Sequence, residues 1–396
     1  MTDAHRRRWQ ALQEKLRAHN VDGMIVTQNV DLYYFTGSMQ AGYACIPAEG
    51  EPVFFVRRSV ARAREESSVR VEPLDSMRSL AERLAGAYPP LRADASPTLA
   101  TEFDVLPVRE MQRLEKALPH VRWVDGSNWV REIRMIKSSD EIAVIRRAAA
   151  LVNEAFEHAA ARARAGMPEF ELMANIEHYM RLRGHLGFMR MRSYNQELIT
   201  GMVAAGAAAA MPTYFDGPAG GQGLSPASPQ SSGMRPIGRN EPILVDIGCC
   251  IDGYVIDQTR TMVIGELPPD LMRAYDVAVQ ILRAVEAKLK PGTICEDLYI
   301  DALKQAANAG LGDHFMGYGE DRVKFLGHGI GLEIDEFPVL ARGFAYALQP
   351  GMVIAIEPKF TFPGRGVVGI ENSYLITESG FEKLTFAREG VVQITS

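Results

Sequence analysis

Residues 245–261 read VDIGCCIDGYVIDQTRT. Within this stretch two apolar runs each end in an acid: Ile243-Leu244-Val245 runs into Asp246, and Tyr254-Val255-Ile256 into Asp257, eleven residues later. Runs of this length suit strands, and the two adjacent strands of a hairpin can bring both carboxylates together. An acid emerging from an apolar strand is costly unless its charge is paired or bound to a metal. Cys249 and Cys250 lie close by without any other thiolate-like group, so they read as small core residues.

Downstream, the same pattern recurs. His328 sits in Gly327-His328-Gly329-Ile330-Gly331, where the glycines permit close approach of backbone or ligand. Glu357 closes Met352-Val353-Ile354-Ala355-Ile356, and Glu371 closes Val367-Val368-Gly369-Ile370. Singly, each acid reads as a solvated or hydrogen-bonded carboxylate. Together, four converging carboxylates would repel one another and raise their pKa values, and two divalent cations offset that charge. Oxygen ligands with one imidazole favour Mn, Co, Zn or Fe over a thiolate-bound metal.

Around this core the chain reads as two domains, 1–130 and 139–396, which a length of 396 residues accommodates. In the first, Trp9–His19, Met77–Ala87 and Val108–Leu118 have helical spacing, while GMIVT (23–27) and PVFFV (52–56) have strand length. No glycine-rich phosphate loop follows any of these strands, so the domain reads as a small α/β unit without a nucleotide site. The boundary falls near 126–138. There Ser138-Ser139-Asp140-Glu141 predicts a capping box ahead of an apolar-periodic stretch from Ile142 to Ala165. A helix over 169–182, a Gly/Ala/Ser/Pro-rich loop over 204–236, strands around 243–264, helices over 270–289 and 295–308 and then mostly strand make the second domain α+β. A loop that long is functional or disordered. Directly ahead of the metal strand, it is expected to form a lid over the metals.

The bulk composition excludes several classes. No 18-residue apolar run is present, so a membrane span is not expected. The net charge of −6 is spread along the chain with no basic stripe for nucleic acid. The early basic cluster in MTDAHRRRWQALQEKL has no apolar region behind it and reads as a first amphipathic helix rather than a targeting signal. Four cysteines make no disulfide framework, which points to the cytoplasm.

The stretch 245–261, GHGIGLEIDEFP (327–338), GMVIAIEPKFTFPG (351–364) and VVGIEN (367–372) resemble the ligand motifs of the pita-bread metallopeptidases: Xaa-Pro dipeptidase, aminopeptidase P and methionine aminopeptidase. DLYYFTG (31–37) more weakly resembles their creatinase-like N-terminal domain. The resemblance implies a C-terminal pita-bread fold with pseudo-twofold symmetry, commonly as a homodimer. It implies two divalent ions, with Asp246 on one, Asp257 and Glu371 bridging both and His328 a direct ligand. Glu357 would be a ligand and the catalytic acid/base, and a hydroxide between the ions would attack a short peptide or related amide.

On the substrate side the chain departs from that pattern. The Pro-His pair expected ahead of the first aspartate is missing: the region reads Met211-Pro212-Thr213-Tyr214-Phe215-Asp216, and no histidine occurs from 186 to 313. The second histidine, seven residues after His328, is Asp335, and the arginine two residues before Glu371 is Gly369. The pocket is thereby expected to be more acidic and to have lost its grip on a carboxylate-ended dipeptide. Asp216, Tyr254, Thr259, Asp335, Lys359 and Arg365 are the candidate substrate contacts, the last two as stand-ins for the missing arginine. An alternative reading is a lyase or non-peptide C–N hydrolase for a small cationic substrate, resembling the pita-bread dimethylsulfoniopropionate lyase. Asp335 would there serve as acid/base or nucleophile; the extra aspartate of that lyase, two residues after the first ligand, is here Gly248. A non-catalytic binding module on the same fold is a third reading.

Overall fold

The computed structural model describes residues 3–195 and 198–395. The chain divides into two compact units, Met1–Arg134 and Met135–Ser396.

The first unit contains helices α1 (Asp3–Ala18), α2 (Asn29–Thr36), α3 (Val60–Glu66), α4 (Leu80–Ala87), α5 (Val108–Ala117) and α6 (Ser127–Arg134). Its strands are β1 (Gly23–Val26), β2 (Gly42–Pro47), β3 (Val53–Val56), β4 (Arg70–Pro73), β5 (Thr98–Thr101) and β6 (Arg122–Asp125). They form one mixed sheet in the order β4-β3-β2-β1-β5-β6. The predicted strands at GMIVT and PVFFV are β1 and β3, buried along their whole length. Leu80 and Leu84 on α4 and Leu114 with Leu118 at the end of α5 follow the i, i+4 spacing of a core-facing stripe. They pack with Ile25, Cys45, Phe55 and Leu99. Beneath α2, the Arg134 guanidinium donates to the Asp31 carboxylate at 2.8 Å, with both side chains buried.

The second unit opens with α7 (Ser139–Ala160) and α8 (Glu169–Arg181), then β7 (Gly201–Ala205), β8 (Ile243–Ile251) and β9 (Tyr254–Ile264). Next come α9 (Pro269–Glu286), α10 (Cys295–Asn308), β10 (Phe325–Gly329), β11 (Glu336–Ala341), β12 (Val353–Ile356), β13 (Lys359–Phe362) and β14 (Gly366–Gly369). It ends with β15 (Asn372–Ile376), β16 (Phe381–Lys383) and β17 (Val392–Ile394). One sheet runs β17-β9-β8-β7, a second β11-β10-β12-β15-β16, and β13 pairs with β14 as a hairpin. Each helix pair precedes its own antiparallel strands, which is the α+β pita-bread arrangement. The capping box on α7 is present: the Ser138 hydroxyl accepts from the Glu141 N–H, and the Glu141 carboxylate accepts from the Ser138 N–H at 2.8 Å.

Ile281 and Leu298 on the second helix pair pack with Leu326, Ile354, Ile356 and Tyr374 of the second sheet, fixing the strands that carry His328 and Glu357. Cys249 and Cys250 are fully buried. One element differs from expectation at the start of the long loop, because Gly201–Ala205 is a strand. Its small residues have weak strand propensity and drew no strand reading. No helix among the described residues is long and apolar enough to cross a membrane.

Candidate functional site

The two aspartates come together through hairpin geometry. Asp252 and Gly253 both have positive φ, 48° and 90°, as a tight two-residue turn between antiparallel strands demands. The turn sets the register Asp246 opposite Thr259 and Gly248 opposite Asp257. Residues opposite each other, and residues two apart, share a face of the sheet. Asp246, Gly248, Asp257 and Thr259 therefore line one face. Each aspartate is the single half-buried position in an otherwise buried strand.

His328 lies on β10 between β11 and β12, opposite Val339 and Ala355. A Cβ at Gly329 would lie 2.2 Å from the Phe337 carbonyl oxygen, so a side chain there would push β11 off the strand. The flanking glycine serves backbone approach. Glu357 follows the end of β12 directly. Glu371 joins β14 to β15 and is held tightly: its N–H donates to the Thr259 carbonyl at 3.0 Å, and the Thr259 hydroxyl donates to its Oε2 at 2.7 Å. Arg260, fully buried, donates to the Glu371 carbonyl at 2.6 Å, to Asn372 Oδ1 at 2.8 Å and to the Ala387 carbonyl. This clamp fixes the turn that presents Glu371. Sequence reasoning did not find it, although an arginine three residues beyond an acid in an apolar strand was a usable signal.

Lys359 supplies the positive charge. Its ammonium donates to Glu357 Oε2 at 2.6 Å, Asp246 Oδ2 at 2.9 Å and Glu371 Oε2 at 3.2 Å, with the side chain 1% exposed. Burial disfavours the ammonium, yet these three acids hold its pKa well above the ordinary lysine value. One cation does not balance four acids. Burial pushes Asp257 well above the carboxylate range, and Glu371 and Asp246 add to the shift. Burial lifts Glu357 to about 8, against the lowering pull of Lys359. For His328, burial alone would lower the pKa, but Asp335, Glu357 and Glu371 outweigh it and raise it.

A divalent cation fits this imbalance. Asp257, His328 and Glu371 each offer a ligand atom within 4.8 Å of the others. Glu371 Oε1 is buried with no hydrogen-bond partner among the described residues, an acceptor placed for a cation. The His328 Nδ1 faces the Gly329 carbonyl at 3.1 Å and Asp335 at 3.3 Å. A carbonyl can only accept, so Nδ1 carries the hydrogen. That leaves the lone pair of Nε2, the nitrogen 3.7 Å from Glu357 Oε1, for a metal, the usual way an outer acceptor orients a histidine ligand.

The cavity above these groups has apolar walls from Met189, Leu198, Met202, Phe215, Phe325 and Ile334, with Asp216 and Asp335 at its edge. Residues 215–220 with Gln230 and Ser231 close one side, so the long loop does cover the cluster. It is tied down at the buried Glu169 carboxylate, which accepts from the N–H groups of Ala205 at 2.8 Å and Gly233 at 3.1 Å. Thr361 also donates to the Pro218 carbonyl at 3.0 Å.

Of the expected substrate contacts, Asp216 and Asp335 line the cavity. Thr259 and Lys359 are instead engaged with the carboxylate cluster. Two candidates lie elsewhere. Tyr254 is three residues from Asp257, which on a strand puts it on the opposite face, and its hydroxyl donates to Glu141 at 3.0 Å. Arg365 is exposed in the turn between β13 and β14, at the far end from Lys359, and pairs with Asp270 at 2.9 Å.

Fold and pocket together define a metal-dependent peptidase of the pita-bread class. The chain belongs to metallopeptidase family M24, whose model matches residues 143–378, and residues 8–136 match the creatinase/prolidase N-terminal domain. The Xaa-Pro dipeptidase of Pyrococcus horikoshii is 26% identical over 374 residues, spanning 94% of this chain and 95% of that protein. The Xaa-Pro dipeptidase of Lactobacillus delbrueckii subsp. lactis is 31% identical over 288 residues, 72% of this chain and 70% of that protein. Among solved structures, the prolidase from Pyrococcus horikoshii OT3 superposes with a TM-score of 0.81 at 25% identity, covering 98% of this chain and 100% of that one. The lyase alternative is not favoured by these relatives.

Proposed function

We propose that this chain is a hydrolase of short peptides that works with divalent metal at Asp246, Asp257, His328, Glu357 and Glu371. The observation that carries the reading is the gathering of Asp257, His328 and Glu371 ligand atoms, with an unpartnered Glu371 oxygen, at the foot of a cavity. Bound there, the metal supplies Lewis acidity toward the scissile carbonyl and lowers the pKa of the attacking water. Asp335 and the Gly329 carbonyl hold the His328 ring in its ligand orientation. Glu357 is the acid/base that passes a proton to the leaving amine. The apolar walls hold aliphatic side chains and exclude water. The ligand set suits Mn, Co, Zn or Fe, two ions at full loading, and a homodimer belongs to the same proposal. Four buried free thiols support a reducing, cytoplasmic compartment.

Specificity differs from that named for the Xaa-Pro dipeptidase relatives. Asp335 and Gly369 stand where a histidine and an arginine were expected, and the loop brings no histidine to the pocket. Among the described residues that line the cavity there is no arginine or lysine to hold the free carboxylate of a dipeptide. The test is a panel of dipeptides and N-terminal tripeptides with metal-stripped protein, with and without added Mn. Metal-restored cleavage is expected, with Gly-Pro and Ala-Pro among the slow substrates. Chelator-insensitive cleavage, or no cleavage of any peptide by metal-loaded protein, contradicts the reading; efficient Ala-Pro cleavage contradicts its specificity half.

A further inference from the structure

Lys359 and Gly369 face each other across the β13–β14 hairpin. A Cβ at 369 would lie 2.6 Å from Lys359 Cγ, 2.7 Å from the Pro358 carbonyl oxygen and 2.8 Å from the Lys359 Cα, so the β13 backbone and the lysine stem together leave room only for glycine there. With glycine at 369 the stem crosses the gap and delivers its ammonium to Asp246, Glu357 and Glu371 Oε2 at 2.6–3.2 Å. An ammonium has three hydrogens, and here it has three carboxylate partners. The cluster is thereby divided. One side, Asp246 with Glu357 and Glu371 Oε2, already holds a cation supplied by the chain. The other, Asp257 with His328 and Glu371, keeps its ligand atoms together and an oxygen unpartnered.

We infer that the Lys359 ammonium is a built-in competitor for the second metal ion, so that the centre takes one divalent cation tightly at Asp257, His328 and Glu371 and a second only by expelling the lysine from Asp246. The inference rests on reading this cluster as the metal centre. A second ion on Asp246 would share two or three carboxylates with a fixed positive charge at contact distance, where like-charge repulsion is strongest. Expulsion would break three hydrogen bonds between a buried ammonium and its acidic partners. The cation of this wall comes from strand β13, and it faces the metal ligands rather than the substrate.

The experiment is Mn(II) titration of the metal-stripped full chain by calorimetry, with EPR spectra at each equivalent, for wild type and Lys359→Met, which keeps an unbranched stem without the charge. Wild type is expected to take one tight equivalent with an uncoupled Mn spectrum. Its second equivalent should be weaker by at least roughly 100-fold, the size of effect a contact charge pair produces. Lys359→Met should take two equivalents of similar affinity and give an exchange-coupled spectrum. Lys359→Gln is a second variant should Lys359→Met fail to fold, and the wild-type titration is decisive without either. Two equally tight equivalents in wild type, or a second site equally weak in the folded variants, overturns the inference. No Mn binding at all would instead remove the metal-centre reading on which it stands.

Discussion

Two buried ion networks in this chain differ in one respect, their charge balance. In the N-terminal unit Arg134 meets Asp31, one cation to one anion, at 2.8 Å and out of water. In the C-terminal unit Lys359 meets three carboxylates, with Asp257 close by and a histidine alongside. A balanced pair completes itself. An unbalanced cluster holds protons it would not hold in water, as the upward shifts of Asp257 and Glu357 record, and it is completed by a cation from outside. The charge deficit, rather than the number of acidic residues, separates the functional network from the structural one.

The sharpest way to break that comparison is to remove one anion from each network. Asp257→Asn should cut metal-dependent peptidase activity by about 10³-fold or more, since a metal supplies several kcal/mol of transition-state stabilisation. The metal-free protein should lose no stability, because the deleted charge was opposed by its neighbours. Asp31→Asn should leave the metal-bound activity per folded molecule unchanged but cost about 3–5 kcal/mol of stability, as expected when a buried cation loses its partner. Chemical denaturation of both metal-stripped variants, with a peptide assay, checks the pair. Equal destabilisation by the two substitutions would show that charge balance does not distinguish the networks.

A smaller effect concerns pH. Glu357 has a folded pKa raised to about 8, so between its unfolded value and 8 the folded state binds the extra proton. The stability this contributes is fully present below the unfolded pKa and is lost as pH rises through 8. His185 works in the opposite sense. Burial lowers it to about 4, its Nδ1 accepting from the Cys250 N–H at 2.9 Å, so its contribution is lost as pH falls from 6.5 through 4. Melting temperatures of metal-stripped protein should therefore decline toward pH 8, and Glu357→Gln should flatten that limb while leaving the acid limb, where His185 titrates, in place. An unchanged alkaline limb in Glu357→Gln would contradict the assignment.

Much of the fold, and the set of acids and the histidine that gather beside the cavity, was legible because the governing signals are local. Each acid closes an apolar run of strand length, and the Ser138–Glu141 capping box is a short-range device. In the N-terminal unit, β4 (RVEP), β5 (TLAT) and β6 (RWVD) were not legible, since four residues of mixed character carry no clear period. Lys359 was misread as a substrate contact because a lysine after a strand ordinarily reaches water, and one of its partners, Asp246, lies 113 residues away. The errors at Tyr254 and Arg365 came from treating sequence proximity to Asp257 and Glu357 as spatial proximity. Strand parity and hairpin register place both outside the pocket.

The most direct test of the account is an anomalous difference map from crystals of the full chain soaked in Mn(II). A peak is expected within coordinating distance of Asp257, His328 and Glu371, strong at the first equivalent. A map with its main peak elsewhere, or with none at saturating Mn, would contradict it.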